Sequence, residues 1–135
     1  MQAPFVEFNR RLRWADADAA GRLHFPRIFE IIEEAESELM RSLAYPLDVR
    51  RHDFDFPRVH IECQFRRTIA LDAPFRLVFT VGHLGRTSIR YDYQVFDAEE
   101  EVAIEGTMTV VVLENGKPTE IPAPLRARLR GEPEH

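Results

Sequence analysis

The apolar positions along the chain change their period once, and this change separates two kinds of predicted element. Across residues 26–43, apolar side chains recur at spacings of one, three and four, which is typical of one face of a helix. These side chains are Ile28, Phe29, Ile31, Ile32, Ala35, Leu39, Met40 and Leu43. The glutamates at 30, 33, 34, 36 and 38 fall mainly on the other face. The pattern predicts one long amphipathic helix with Pro26 at its first position.

After the helix the period becomes two, which is typical of β-strands. Strands are predicted at residues 59–65, 75–81, 89–95 and 102–112, and a further one at residues 5–14. Short breakers at 71–74, 82–85 and 97–101 separate the four later strands. Because a parallel crossover needs a dozen residues or more, we expect antiparallel hairpins. A turn at residues 115–116 and a short helix at 125–130 complete the predicted elements.

One helix and five strands have to bury each other's apolar faces, so the predicted fold class is α+β. A curved five-stranded antiparallel sheet wrapped around one long central helix satisfies the order of the elements. Such a sheet leaves free edge strands and a core covered on one side only. We therefore expect the chain to pair with further copies, as a homodimer or homotetramer.

Length and composition narrow the class of protein. The 135 residues fit a single domain over 1–135, and 44% hydrophobic with 30% charged residues is typical of a globular protein. A net charge of −5 leaves no excess of positive charge for a nucleic-acid backbone. No apolar run approaches the roughly 18 residues of a membrane span, and the N-terminus lacks a signal-peptide pattern. We expect a cytoplasmic protein with neither nucleic acid nor membrane as partner.

Several familiar catalytic motifs are missing from the sequence: the serine nucleophile elbow, the phosphate-binding loop, the dinucleotide fingerprint and the zinc-binding His-Glu-x-x-His. The five histidines have no metal-ligand spacing. The single cysteine, Cys63, lies on the apolar face of a predicted strand, where we expect a structural role. The sequence therefore predicts no metal and no cofactor.

The segment that holds the main candidate catalytic groups lies at residues 16–26 and leads into the predicted helix. Its sequence is Asp-Ala-Asp-Ala-Ala-Gly-Arg-Leu-His-Phe-Pro. A carboxylate in a loop of small residues would lie there beside free backbone N–H groups at the positive helix end. That arrangement suits a developing oxyanion next to a base or nucleophile. A solvated loop, with Asp16 or Asp18 in an Asx-type turn, explains the same pattern without function. Periodicity alone favours this second interpretation.

A resemblance to a known family favours the catalytic interpretation of this loop. Arg-Trp-Ala-Asp-Ala-Asp-Ala-Ala-Gly at residues 13–21, Leu-His-Phe-Pro at 23–26 and a helix holding Glu33 and Ala35 resemble the hot-dog-fold thioesterases of the 4-hydroxybenzoyl-CoA thioesterase type. The resemblance covers nearly the whole chain. It implies a hot-dog fold and hydrolysis of an acyl-CoA substrate to a free acid and CoA. We expect an aromatic or medium-chain acyl group, and the sequence leaves open whether CoA or acyl carrier protein carries the thiol.

The resemblance also implies roles for residues of the loop. Asp18 matches the family's catalytic carboxylate, which acts as general base or as nucleophile. Gly21 matches the glycine that lets the loop pass close to the thioester. The backbone N–H of Phe25 matches the group that polarises the thioester carbonyl.

Two further segments resemble substrate contacts of the family. The turn holding Arg86, Thr87 and Ser88 falls where related enzymes contact CoA, often across a subunit interface, although an ordinary hairpin turn explains it equally well. Residues 56–57 with 59–60 resemble the branch that hydrolyses 1,4-dihydroxy-2-naphthoyl-CoA. His60 is then a candidate pocket residue, with an outward-facing strand histidine as the alternative.

The chain departs from the family pattern at two positions. Arg27 stands where the family has asparagine, and His24, a candidate substrate-binding residue, replaces an aromatic residue. We expect Arg27 to face solvent rather than to meet a carboxylate or phosphate of the substrate. Glu33 is a reserve catalytic candidate, with a solvated helix glutamate as the simpler interpretation. Two alternatives stay open: a non-catalytic acyl-thioester binding hot-dog protein, and a hot-dog dehydratase or hydratase that pairs His24 or His60 with Glu33.

Overall fold

A computed structural model describes residues 3–47 and 53–132 of the chain. Its elements, in chain order, are β1 (Phe5–Arg11), a single 3-10 turn (Trp14–Asp16), α1 (Arg27–Ser42), β2 (Phe54–Asp55), β3 (Arg58–Phe65), β4 (Pro74–Leu84), β5 (Ser88–Phe96), β6 (Val102–Val111), β7 (Leu113–Glu114), β8 (Lys117–Pro118) and α2 (Ala123–Leu129). The predicted long helix, the five long strands and the short terminal helix are all confirmed. None of the helices in these residues is long and apolar enough to cross a membrane.

The five long strands form one antiparallel sheet in the order β1–β4–β5–β6–β3. The short strands β2, β7 and β8 form a second, small antiparallel sheet. The β7–β8 hairpin turns at Asn115 and Gly116, both with positive φ, as the sequence predicts. The α+β class, with a five-stranded antiparallel sheet and one long helix, is thereby confirmed.

Helix α1 buries its apolar stripe against one face of the large sheet. The buried side chains of this stripe are Ile28, Ile31, Ile32, Ala35, Leu39 and Met40. They share a core with alternate residues of β4 and β5, where Phe79 and Tyr91 stack with ring centroids 4.8 Å apart. A fully buried Ile, Leu, Met or Phe side chain contributes roughly 1.5–3 kcal/mol. The core therefore anchors the helix and, with it, the loop that precedes the helix.

The predicted hairpin between β3 and β4 is wrong. Strand β3 pairs with β6 at the edge of the sheet, and residues 66–73 cross from there to β4. This crossing segment is held by the loop before α1: the N–H of Leu23 donates to the carbonyl of Ile69, and the N–H of Leu71 to that of Gly21, both at 2.8 Å. The connection is stabilised by that loop instead of by a strand partner.

Four local predictions also need correction. Strand β4 continues through residues 82–84, since a β-bulge between Val81 and His83 absorbs the expected break. Trp14 lies in the 3-10 turn and not in β1, and Pro26 precedes α1 instead of beginning it. Glu36, expected on the polar face of the helix, is buried.

Candidate active site

The loop between β1 and α1 folds back on itself before the helix begins. Ala17 and Leu23 form an isolated antiparallel bridge, and the N–H of Asp18 donates to the carbonyl of Arg22 at 2.7 Å. Gly21 completes this tight turn with φ +78°, a left-handed conformation that strains any residue with a side chain. The turn therefore requires a glycine at this position.

The Asp18 carboxylate is held by this turn through one of its two oxygens. Oδ1 accepts hydrogen bonds from the N–H groups of Ala20 at 2.9 Å and Arg22 at 3.3 Å, which is the Asx-type turn anticipated from the sequence. Oδ2 lies 3.8 Å from Nε of Arg22, and 32% of the side chain is exposed. The carboxylate is thus fixed by the backbone and still accessible to a small molecule.

A hollow of about 310 Å³ opens beside this carboxylate. Its walls are Trp14, Ala17, Asp18, Ala19, Gly21 and Leu71. The alanines and the glycine leave space, while the Trp14 side chain is exposed and offers a flat apolar surface. The hollow combines an aromatic wall with a carboxylate at its rim.

The backbone N–H of Phe25 lies two residues before α1 and donates to no other group in the described part of the chain. Its neighbours are engaged: the N–H of His24 donates to the carbonyl of Asp16 at 2.8 Å, and that of Arg27 to His24 at 2.9 Å. Unpaired N–H groups at a helix start carry a partial positive charge. Phe25 therefore offers a free donor. Its exposed ring contacts Phe65 of β3 edge-to-face, with centroids 6.3 Å apart.

Asp16 is the residue of this loop whose role the sequence did not indicate. Its buried carboxylate accepts hydrogen bonds from Nε of Arg13 at 2.9 Å and Nε of Arg27 at 3.0 Å. The Arg13 hydrogen bond, helped by Arg27 and opposed by burial, holds the pKa of Asp16 below its usual value. The prediction that Arg27 faces solvent is wrong, since its guanidinium pairs with Asp16 and Glu30. The sequence signal for this ion pair was the arginine, Arg13, three residues before Asp16.

The histidine candidates lie on the surface. His24 is exposed, and Nε2 of His60 lies 3.4 Å from a carboxylate oxygen of Glu62 on the exposed side of β3. His60 is about 17 Å along the strand from Phe65, at 3.3–3.4 Å per residue. Glu33 is exposed and lies 3.7 Å from Arg58, and within the described residues it forms no ion pair with His24 or His60, as a dehydratase would require.

The thiol of Cys63 is the other candidate reactive group on these elements. Cys63 is half-buried, and burial raises the pKa of its thiol, in keeping with the structural role expected from the sequence. Within residues 3–47 and 53–132, no three His, Cys, Asp or Glu side chains are grouped so that they could hold a metal ion.

The turn with Arg86, Thr87 and Ser88 lies at the opposite end of the sheet from Asp18. Arg11, which leads into the Asp18 loop, is paired with Pro74 at the start of β4, and the turn follows the end of that strand. Residues 74–84 span about 33 Å at 3.3 Å per residue. The turn is fixed by the C-terminal segment, because Arg126 donates to the carbonyl of Gly85 at 2.7 Å. One chain alone therefore does not bring these residues to Asp18.

Strand β3 forms an edge of the sheet whose apolar side chains are uncovered. Val59, Ile61 and Phe65 are exposed, although their alternation predicts a buried face. In the described residues β3 pairs with β6 alone, so its other side carries free backbone N–H and carbonyl groups. This edge has the properties of a surface that pairs with another chain.

Comparisons with known proteins identify the family and the fold. The family model described as "Thioesterase-like superfamily" matches residues 12–129. A 1,4-dihydroxy-2-naphthoyl-CoA hydrolase of Synechococcus elongatus is 28% identical over 105 residues, which cover 76% of this chain and 77% of that protein.

Solved structures share the fold. A 1,4-dihydroxy-2-naphthoyl-CoA thioesterase from Synechocystis superposes with a TM-score of 0.84 at 20% identity, covering 93% of this chain and 95% of that one. A thioesterase from Thermus thermophilus, complexed with coenzyme A and Zn, superposes with a TM-score of 0.78 at 24% identity, covering 97% and 98%. The hot-dog arrangement expected from the sequence is confirmed by these likenesses. The chain belongs to the Thioesterase-like superfamily and is a thioester hydrolase with the hot-dog fold.

Proposed function

We propose that this protein hydrolyses acyl-CoA thioesters to a free acid and CoA, with Asp18 as the catalytic carboxylate. The observation that carries the proposal is the Asp18 side chain, which is held by two backbone N–H groups and faces an open hollow. Relatives named as 1,4-dihydroxy-2-naphthoyl-CoA hydrolases and a fold relative with bound coenzyme A support an acyl-CoA substrate. The aromatic wall supplied by Trp14 favours an aromatic acyl group over a medium-chain one.

In this mechanism the Phe25 N–H polarises the thioester carbonyl. The donor has no partner within the described chain, and the start of α1 adds its positive partial charge, so both stabilise the oxyanion as it develops. Removing one such donor typically lowers the rate by about 10²–10³-fold. Gly21 keeps the turn tight enough to hold Asp18 beside the bound thioester.

The Asp18 carboxylate then acts in one of two ways. As a general base it takes a proton from water, whose oxygen attacks the carbonyl carbon. As a nucleophile it attacks that carbon itself, and water later cleaves the mixed anhydride. In both cases the C–S bond breaks, CoA leaves as a thiolate that takes up a proton, and the acyl group becomes a carboxylic acid.

We propose further that two copies pair antiparallel along β3 and share each site. The turn of Arg86, Thr87 and Ser88 lies at the Arg58 end of β3, whereas Phe65, at the other end, contacts Phe25. An antiparallel pair reverses one copy, which moves its turn to the end that carries the other copy's Asp18. The turn could then contact CoA across the interface, and the exposed apolar side chains of β3 would be covered.

The test measures thiol release with a disulfide dye from a panel of aryl-CoA and straight-chain acyl-CoA thioesters. We expect Asp18→Asn to lower turnover by about 10²–10⁴-fold with an unchanged circular dichroism spectrum. Glu33→Gln serves as the matched control and should keep turnover close to that of the original protein. Near-normal turnover of Asp18→Asn would overturn its role, and loss in Glu33→Gln would assign the reaction to the helix carboxylate. Acyl-CoA binding without thiol release in the unmodified protein would favour the non-catalytic alternative.

A further inference from the structure

We propose that Asp16 is a positioning residue, which acts through Arg27 to hold Asp18 and the Phe25 N–H in their reactive arrangement. The inference rests on the proposed function, because it concerns the loop that carries both groups. Asp16 itself is inaccessible to substrate, since only 5% of its side chain is exposed. Its influence on the reaction has to pass through the residues it binds.

The Asp16 carboxylate ties the two ends of the loop together. On one side it accepts two hydrogen bonds from Arg13, from Nε at 2.9 Å and from the terminal nitrogen at 3.2 Å. On the other side it accepts a hydrogen bond from Nε of Arg27 at 3.0 Å and lies 2.8 Å from a terminal nitrogen of the same guanidinium. Arg13 follows β1 closely, and Arg27 is the first residue of α1. One buried carboxylate thus fixes the strand end relative to the helix start.

The backbone of Asp16 reinforces this link. Its N–H donates to the carbonyl of Arg13 at 2.9 Å, and its carbonyl accepts the N–H of His24 at 2.8 Å. His24 directly precedes Phe25, so this bond fixes the peptide next to the proposed oxyanion donor. Asp18 is two residues further along the chain from Asp16. The proposed carboxylate and the proposed donor are therefore both attached to groups that Asp16 holds.

The charges of Arg13, Asp16 and Arg27 explain why a substitution at one of them would affect the rate of the reaction. Asp16 is the buried member of this cluster, so removing either arginine leaves its charge short of a partner, and removing Asp16 releases both guanidinium groups from the loop. A misplacement of about 1 Å in a reacting group costs on the order of 10²-fold in rate. Arg27 also pairs with Glu30 on its exposed side, so loss of Asp16 would leave Glu30 to draw the guanidinium outward.

The experiment compares Asp16→Asn in two backgrounds, the original protein and the Asp18→Asn variant. We expect a fall of about 10- to 10²-fold in kcat, with little change in KM, in the original protein. In the Asp18→Asn background the same substitution should lower kcat by a smaller factor, because only the Phe25 donor is left to position. The change in Tm should be similar in both backgrounds. Equal factors in the two backgrounds, or an effect on KM alone, would overturn the inference.

Substitutions at Arg27 test the same link when Asp16→Asn does not fold. Arg27→Gln keeps the Arg13 pair and should reproduce the loss of kcat, while Arg27→Lys keeps a charge and should restore part of it. Glu30→Gln, on the exposed side of Arg27, is the matched control and should leave kcat near its original value. Unchanged kcat in a folded Arg27→Gln would contradict the inference. Failure of the proposed function looks different, since Asp18→Asn itself would then retain turnover.

Discussion

Glu36 on α1 is bound to Arg58 on β3 through one carboxylate oxygen: Oε1 accepts a hydrogen bond from the guanidinium at 2.5 Å, and Oε2 is buried without a partner in the described residues. Only 1% of Glu36 is exposed. Burial raises the pKa of Glu36 to about 7, helped by nearby Glu33 and opposed by Arg58. Tyr91, from β5, faces the same carboxylate, and burial raises its pKa as well. Glu36, whose carboxyl group titrates, thus connects α1 to the edge strand β3.

We predict that Glu36 makes the protein less stable as the pH rises towards neutrality. Its pKa of about 7 in the folded state lies above the ordinary value of 4.5, so the folded chain binds the proton more tightly than the unfolded chain. The free energy of unfolding should be unaffected by Glu36 below about pH 4.5, fall as the pH rises to about 7, and stay low above that. The shift in pKa corresponds to about 3 kcal/mol.

Urea denaturation at a series of pH values measures this effect. Glu36→Gln removes the titration, so its free energy of unfolding should fall less between about pH 5 and about pH 8 than that of the original protein. Glu33→Gln, an exposed glutamate beside the same arginine, is the control and should retain most of the fall. Parallel curves for the original protein and Glu36→Gln would contradict the prediction.

The ion pairs Glu36–Arg58 and Asp16–Arg27 show which parts of the fold and site could not be predicted from the sequence. Strand alternation and the helix stripe depend on neighbouring residues, so the pattern was sufficient to predict β4, β5 and α1. Glu36 was misassigned because its partner Arg58 is 22 residues away, on another element. Arg27 was misassigned because Asp16 is 11 residues away. Local periodicity holds no information about such partners, whereas the Asp18 loop could be proposed as a candidate site because its residues are consecutive and resemble a family motif.

Strand β3 was predicted only in part for a related reason. Its alternation correctly predicts an apolar face, but the side chains Val59, Ile61 and Phe65 of this face are exposed in the structure. If two copies pair along β3, as proposed, the second copy covers this apolar face. The alternation within one sequence does not show whether an apolar face is covered by its own chain or by another copy.

Pairing along β3 leads to a prediction about association. Ile61→Lys places a charge in the middle of the exposed edge, where it would be buried without a partner in the pair, so we expect the assembly to dissociate to single chains. Thiol release should fall with it, because the second copy's turn is lost. Phe5→Lys, an exposed apolar residue on the other edge strand β1, is the matched control. Light scattering coupled to gel filtration measures the mass. An unchanged mass for Ile61→Lys would show that the copies associate elsewhere.

Trp14 provides a direct test of where the acyl group binds. It is the single tryptophan of the sequence, 82% of it is exposed, and it lines the hollow beside Asp18. An aromatic acyl group in this hollow would cover the indole and remove water from it. When the Asp18→Asn variant binds an aryl-CoA thioester, we therefore expect the tryptophan emission to shift to shorter wavelength and its quenching by acrylamide to decrease. Free CoA, which lacks the acyl group, is the control and should change neither signal. Unaltered emission and quenching, while calorimetry detects binding of the same thioester, would place the acyl group outside the hollow.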